Sequence, residues 1–245
     1  SSSFLPVFNY LHIFFYILLC PPQRIPVKTL VEQLQPSSVD KKLIESHIAS
    51  MNLISILNEQ TIRIRSYKDD NYSYQSIYVF MIELKKDNSI VSLSNLIHSA
   101  FPEPTIIIHK KQQTYFVSLA LKRINKVEEG KTVVEDIITT QIPKTANKHQ
   151  ISLQEISGVN LMEYYANMIQ WLYKLKVLQI TKVYPIKSLD FKSLLKQYEQ
   201  LIVDLNKLKD NYKKATMKSE KVRIDDEIYV VEKNLKIMVE KIKNN

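Results

Sequence analysis

After Pro185 the chain runs for 60 residues without a glycine or a proline, and that stretch admits few architectures. The two residues that most readily interrupt a helix are missing from it. Leu194, Tyr198, Leu201, Leu205, Leu208 and Tyr212 recur at alternating intervals of four and three, and Ile224, Ile228, Val231, Leu235, Met238 and Ile242 do so again. Such spacing lays an apolar seam along one side of a helix. The two series do not share a register, since continuing the first from Tyr212 would put Ser219, Val222 and Asp226 on the seam. A turn or stutter therefore falls between 213 and 223. An antiparallel helical hairpin over 187–245 is favoured over one long helix, and Leu194, Tyr198, Leu201, Leu205 and Leu208 are its candidate association residues.

Upstream the signals alternate. Residues 27–34 and 39–50 read as helices, the second with Ser38 or Asp40 as N-cap and Leu43, Ile44, His47 and Ile48 along one face. Strands follow in "LISIL" (53–57), "TIRIR" (61–65), "SIYVFMIELK" (76–85), "TIIIH" (105–109), "TYFVSLALK" (114–122) and "TVVEDIITTQI" (132–142), all β-branched or aromatic runs between polar or proline-bearing breaks. A short helix over 93–101 interrupts them, and a longer one follows over 159–176. The order predicts an α+β fold, a mixed sheet with flanking helices, followed by the C-terminal hairpin. Its expected segments are an apolar N-terminal stretch (1–24), the α+β domain (25–145), a connecting helix region (146–186) and the hairpin.

Residues 4–20 carry no charge, but this stretch sits at the short end of a membrane span and contains Pro6, Asn9 and His12. A docking element at an interface or a start site placed too far upstream are its other readings, and a membrane partner is not expected. Neither the basic n-region nor the small-residue cleavage site of a signal peptide is visible. Cys20 is the single cysteine, which rules out a disulfide framework and a cysteine-based zinc site and suits a reducing compartment, the cytoplasm by default.

Two glycines, Gly130 and Gly158, leave little from which to build a phosphate-cradling loop. Gly130-Lys131-Thr132 resembles only the tail of one. His12, His47, His98, His109 and His149 are scattered without ligand spacing, so no metal site and no cofactor is expected. Lys and Arg exceed Asp and Glu by 34 to 25, a formal charge of +9, which favours anionic partners such as nucleic acid. The densest basic run is "KKATMKSEKVR" at 213–223, with Lys213, Lys214, Lys218, Lys221 and Arg223 against one acid, Glu220. At a protruding turn these side chains are either simply solvated or poised to displace counterions from a phosphate backbone. They are the candidate nucleic-acid contacts.

One pattern hints at catalysis. Glu83-Leu84-Lys85 ends a β-run as the PD-(D/E)xK nucleases end their third core strand, where a strand-two Asp and this Glu hold Mg²⁺ and the Lys polarises the attacking water. The helix, three strands, helix, strand order over 38–109 resembles that core. Yet strand 61–65 offers only Arg63 and Arg65 as charged residues, and Asp69 and Asp70 fall in the turn after it. A solvated strand end is the preferred reading, with a Mg²⁺-dependent nuclease built on Glu83, Lys85, Asp69 and Asp70 as the alternative.

Several segments together are similar to a bacterial family. "RIPVKTLVEQL", "IASMNLISILNEQTIRI", "YVFMIELKK" with "IHSAFPEPTIIIHKK", "LMEYYANMIQWL" and "EKVRIDDEIYVVEKNLKIM" follow in the order of the domain of unknown function 4391 family, from about residue 22 onward. The apolar first 20 residues and the stretch 123–150 depart from its pattern. The resemblance implies a gene beside DNA methyltransferases and helicases in restriction or phage-defence loci, and it transfers no catalytic residue. The expected function is a non-catalytic accessory or interaction subunit of such a DNA-directed assembly, with protein partners that include a helicase or methyltransferase, and with possible DNA contact. A coiled-coil adaptor without nucleic-acid contact is the second alternative.

Overall fold

The computed structural model describes residues 22–144, 146, 156–185 and 191–244. The apolar stretch 4–20, with His12 and Cys20, and also His149 lie outside the described residues. The chain opens with β1 (Gln23–Ile25), α1 (Val27–Leu34), α2 (Ser38–His47), β2 (Ile48–Leu57) and α3 (Glu59–Ile62). A two-stranded ribbon, β3 (Tyr67–Lys68) and β4 (Ser73–Tyr74), precedes β5 (Ile77–Leu84), α4 (Ile90–Ala100), β6 (Thr105–Lys111), β7 (Thr114–Ile124) and β8 (Thr132–Gln141). Helices α5 (Leu161–Thr181), α6 (Phe191–Lys214) and α7 (Lys218–Asn244) complete it.

The fold is α+β. Six strands form one sheet in the order β1-β2-β5-β6-β7-β8. Only β5 and β6 pair in parallel, joined by α4 as a parallel connection requires. Central strand β5 is buried on both faces. On one face Phe80, Ile82 and Leu84 meet Met51 and Ile107 of the neighbouring strands under Leu30 of α1, Ile44 of α2 and Leu93 and Ile97 of α4. The other face buries Val79, Met81, Ile106, Ile108, Val117 and Leu119. The described residues form two compact units, divided between Leu172 and Tyr173 within α5.

Three expectations are corrected by local chemistry. The "TIRIR" run is not a strand. Asn58 caps a single helical turn by accepting from Gln60 N and Thr61 N at 3.0 Å each, while Thr61 Oγ1 accepts from Asn58 N at 2.8 Å. That reciprocal capping box outweighs β-propensity, and Arg63 ends the turn in the left-handed region (φ 57°). The supposed three-strand nuclease core is therefore absent here: β2 pairs directly with β5. Likewise the helix expected over 39–50 stops at His47, because Ile48 turns extended and pairs with Leu84. Its N-cap is Ser37, whose hydroxyl accepts from Asp40 N at 3.2 Å, rather than Ser38 or Asp40. In the second unit α6 and α7 lie packed together, with the break of register realised as a turn at residues 215–217. Among the described residues no helix is long and apolar enough to cross a membrane.

Candidate functional site

The Glu83 pattern is taken up by structural partners. Glu83 stands beside Lys110 on parallel strands β5 and β6, and its carboxylate accepts from Lys110 Nζ at 3.3 Å. Lys85 turns the other way. Its backbone N–H donates to the His47 carbonyl at 2.7 Å and its Nζ to the Glu45 carbonyl at 2.8 Å, so it satisfies the open end of α2 with a cation where the helix dipole favours one.

The other half of the nuclease set is far away. Asn71, next to Asp69 and Asp70, accepts from Ile124 N at 2.7 Å, at the end of β7. Glu83 is level with Lys110 and hence with Tyr115, at the start of β7. From Tyr115 to Ile124 the strand covers about 30 Å at roughly 3.3 Å per residue. Asp69 is also occupied: it accepts from Tyr67 Oη, Asn71 N and Tyr72 N at 2.6–2.8 Å, and the Tyr67 hydroxyl above all holds its carboxyl below the usual range. Among the described residues no group of three or more His, Cys, Asp or Glu could hold a metal ion. Gly130-Lys131-Thr132 forms the turn from β7 into β8, with Gly130 at φ 75° and Lys131 paired to Glu128.

A second cluster was not foreseen from the sequence. Under α4 the sheet presents Thr105, His109, Ser118 and Lys122 on one face. His98 Nδ1 lies 2.7 Å from Thr105 Oγ1 and its Nε2 lies 3.0 Å from Ser118 Oγ, which also accepts from Thr139 Oγ1 at 2.8 Å. Ser94 Oγ is 2.8 Å from His109 Nε2. Lys122 Nζ donates to the Phe101 carbonyl at 2.6 Å, the Glu103 carbonyl at 2.8 Å and Thr105 Oγ1 at 3.4 Å. Both ring nitrogens of His98 therefore have hydroxyl partners that can donate or accept. Burial pushes both imidazoles down, His109 to about 4 and His98 well below its ordinary value, and brings Lys122 down to about 7. Ser94, His98, Thr105, His109 and Ser118 are 0% exposed and Lys122 2%, so no substrate reaches them. The layer is internal scaffolding.

The hairpin tip is the opposite case. Lys213, Lys214, Lys218 and Arg223 are exposed and Lys221 half-buried, on both sides of the 215–217 turn. Ala215 alone is buried there, its N–H closing the last turn of α6 onto the Asn211 carbonyl at 2.9 Å. Lys213 lies 3.3 Å from Asp210, Arg223 lies 3.9 Å from Glu227, and Lys221 sits 5.7 Å from the centre of the Tyr212 ring. Among the described residues Lys214 and Lys218 have no partner. Below the tip, Lys209 and Glu232 bridge the two helices at 3.0 Å. Leu194 and Leu205 are buried, and Tyr198, Leu201 and Leu208 half-buried, on the α6 seam that the hairpin itself uses.

A family model described as Domain of unknown function (DUF4391) matches residues 21–235. No curated protein and no solved structure matches the chain.

Proposed function

The chain belongs to the family described as Domain of unknown function (DUF4391), and we propose that it acts in the cytoplasm as a non-catalytic accessory subunit of a DNA-directed assembly, such as a restriction-modification or phage-defence system. The observation that carries this reading is the hairpin tip. Five cationic side chains cluster around one turn at the end of two helices, and Lys214 and Lys218 are exposed with no counter-charge among the described residues. A cation held out in this way gains most from a polyanion, because each phosphate it meets releases condensed counterions. The resemblance supplies the defence setting and, with it, a helicase or DNA methyltransferase as protein partner. Glu83 and Lys85 are engaged in structural bonds with Lys110 and the Glu45 carbonyl, which supports a non-catalytic role for this pair.

The test is to change Lys213, Lys214, Lys218 and Lys221 together to Gln and follow duplex binding by fluorescence anisotropy across a salt series. The expected result is weaker binding and a log–log slope shallower by roughly one unit for each phosphate that is no longer neutralised. An unchanged slope with intact helical circular dichroism overturns the reading.

A further inference from the structure

Helix α7 has two apolar faces, and the hairpin uses one of them. Ile224, Leu235 and Ile242 are buried. Val222, Tyr229, Val230 and Ile237 are 54–70% exposed. At roughly 100° per residue these four fall within an arc of about 100° on the side of the helix opposite the buried three. Between Val222 and Ile237 the same arc holds one acid and one base, Asp226 and Lys233, both exposed and, among the described residues, neither in an ion pair, and Glu240 continues the arc beyond them.

The arrangement is palindromic. Reflected about the point midway between Tyr229 and Val230, Val222 falls on Ile237, Asp226 on Lys233, and Tyr229 on Val230. A helix laid antiparallel against an identical one in this register meets itself with apolar residues on apolar residues and with each acid on a base, twice over. Self-complementarity of this kind is what a two-fold, isologous contact demands, since every pair must occur in both directions. An unrelated partner imposes no such symmetry. On the flank, Arg223 would lie opposite Lys236, but Arg223 already has Glu227 as its counter-ion at 3.9 Å.

We propose that this face of α7 is a homodimer interface: two copies of the chain pair their α7 helices antiparallel, with Val222 against Ile237, Tyr229 against Val230 and Asp226 against Lys233 of the other copy. This inference is independent of what the hairpin tip binds. From Val222 to Ile237 the interface is about 22 Å long at 1.5 Å per residue. That places it among the smaller interfaces, so the dimer dissociates on dilution.

Sedimentation velocity over a concentration series tests it. The native chain is expected to pass from dimer to monomer as it is diluted. Asp226→Lys and Lys233→Asp each set like charges against each other at both ends of the interface, and each variant is expected to stay monomeric at concentrations where the native chain dimerises. An equimolar mixture of the two variants restores both Asp–Lys pairs and is expected to re-form the dimer, as is the double variant D226K/K233D. All these positions are exposed, so circular dichroism should match the native chain. The proposal is overturned if the native chain is monomeric throughout, if either single variant dimerises like the native chain, or if the mixture fails to associate.

Discussion

Tyr165 of α5 donates its hydroxyl proton to the Thr105 carbonyl at 2.7 Å, and the same oxygen accepts from the Ala120 N–H at 3.0 Å. The paired register of β6 and β7 ends at Ile106 and Leu119, and the tyrosine oxygen is spliced in where the next rung of the ladder would stand. Its ring is fully buried and lies 5.5 Å from that of Tyr74. Tyr165→Phe keeps the packing but leaves two buried backbone groups without partners, at roughly 1–3 kcal/mol each. A decrease of about 3 kcal/mol in stability is expected, seen as a lower urea midpoint at unchanged m-value.

The two imidazoles under α4 make the fold acid-sensitive. Their folded pKa values lie below the unfolded value of 6.5, so as the pH falls the unfolded chain takes up protons first. Stability is fully present above about pH 6.5 and is withdrawn as the pH drops through 4, with about 3 kcal/mol lost to His109 alone by pH 4. His109→Gln should flatten that limb in urea titrations run at several pH values. An equally steep limb in the variant would place the acid sensitivity elsewhere.

Lys122 acts at the other end of the scale. Burial brings its folded pKa to about 7, below the ordinary 10.5, so between these values the unfolded chain again holds the extra proton and stability rises with pH. Lys122→Met removes this alkaline rise. It also strips the Phe101 and Glu103 carbonyls of their donor, so near about pH 9.5, where the folded amine is neutral, the variant should be less stable by about 2 kcal/mol, and that difference should shrink toward pH 7. Thermal unfolding at pH 7 and about pH 9.5 separates the two effects.

Glu83 is expected to matter little. Its ion pair with Lys110 is part-exposed and contributes at most about 1 kcal/mol. The purified protein should leave plasmid and single-stranded DNA uncut in Mg²⁺ or Mn²⁺, and Glu83→Ala should change nothing in that assay. Cleavage by the native chain that disappears in the variant would mean a metal centre at this sheet end.

Periodicity was the dependable guide where a helix or strand carries its own pattern. The seams of α6 and α7 are written at intervals of four and three, and β5 through β8 as branched runs, so the class of fold and the hairpin could be read directly. The "TIRIR" run misled because its fate is decided three residues upstream by the Asn58 side chain. Glu83 and Lys85 were visible as a pair, but their partners lie 27 and 40 residues away, at Lys110 and the Glu45 carbonyl, and no local pattern reveals such pairings. His98, His109 and Lys122 looked scattered for the same reason. One signal did exist: Ser118 and Lys122 share their parity with Ala120 in an otherwise apolar strand, which marks polar groups turned inward. The outer stripe of α7 emerges only once the inner seam has been assigned.

The polar layer under α4 also bears on how the chain can diverge. An apolar core drifts easily, because one branched side chain can replace another of similar volume at small cost. Ser94 and His109 form one hydrogen-bonded pair, and His98, Thr105, Ser118 and Lys122 form a linked foursome, so within each group a change at one residue strands the next. Among relatives the pair and the foursome should therefore each be kept or exchanged together, and covariation within each group would trace its hydrogen bonds residue by residue.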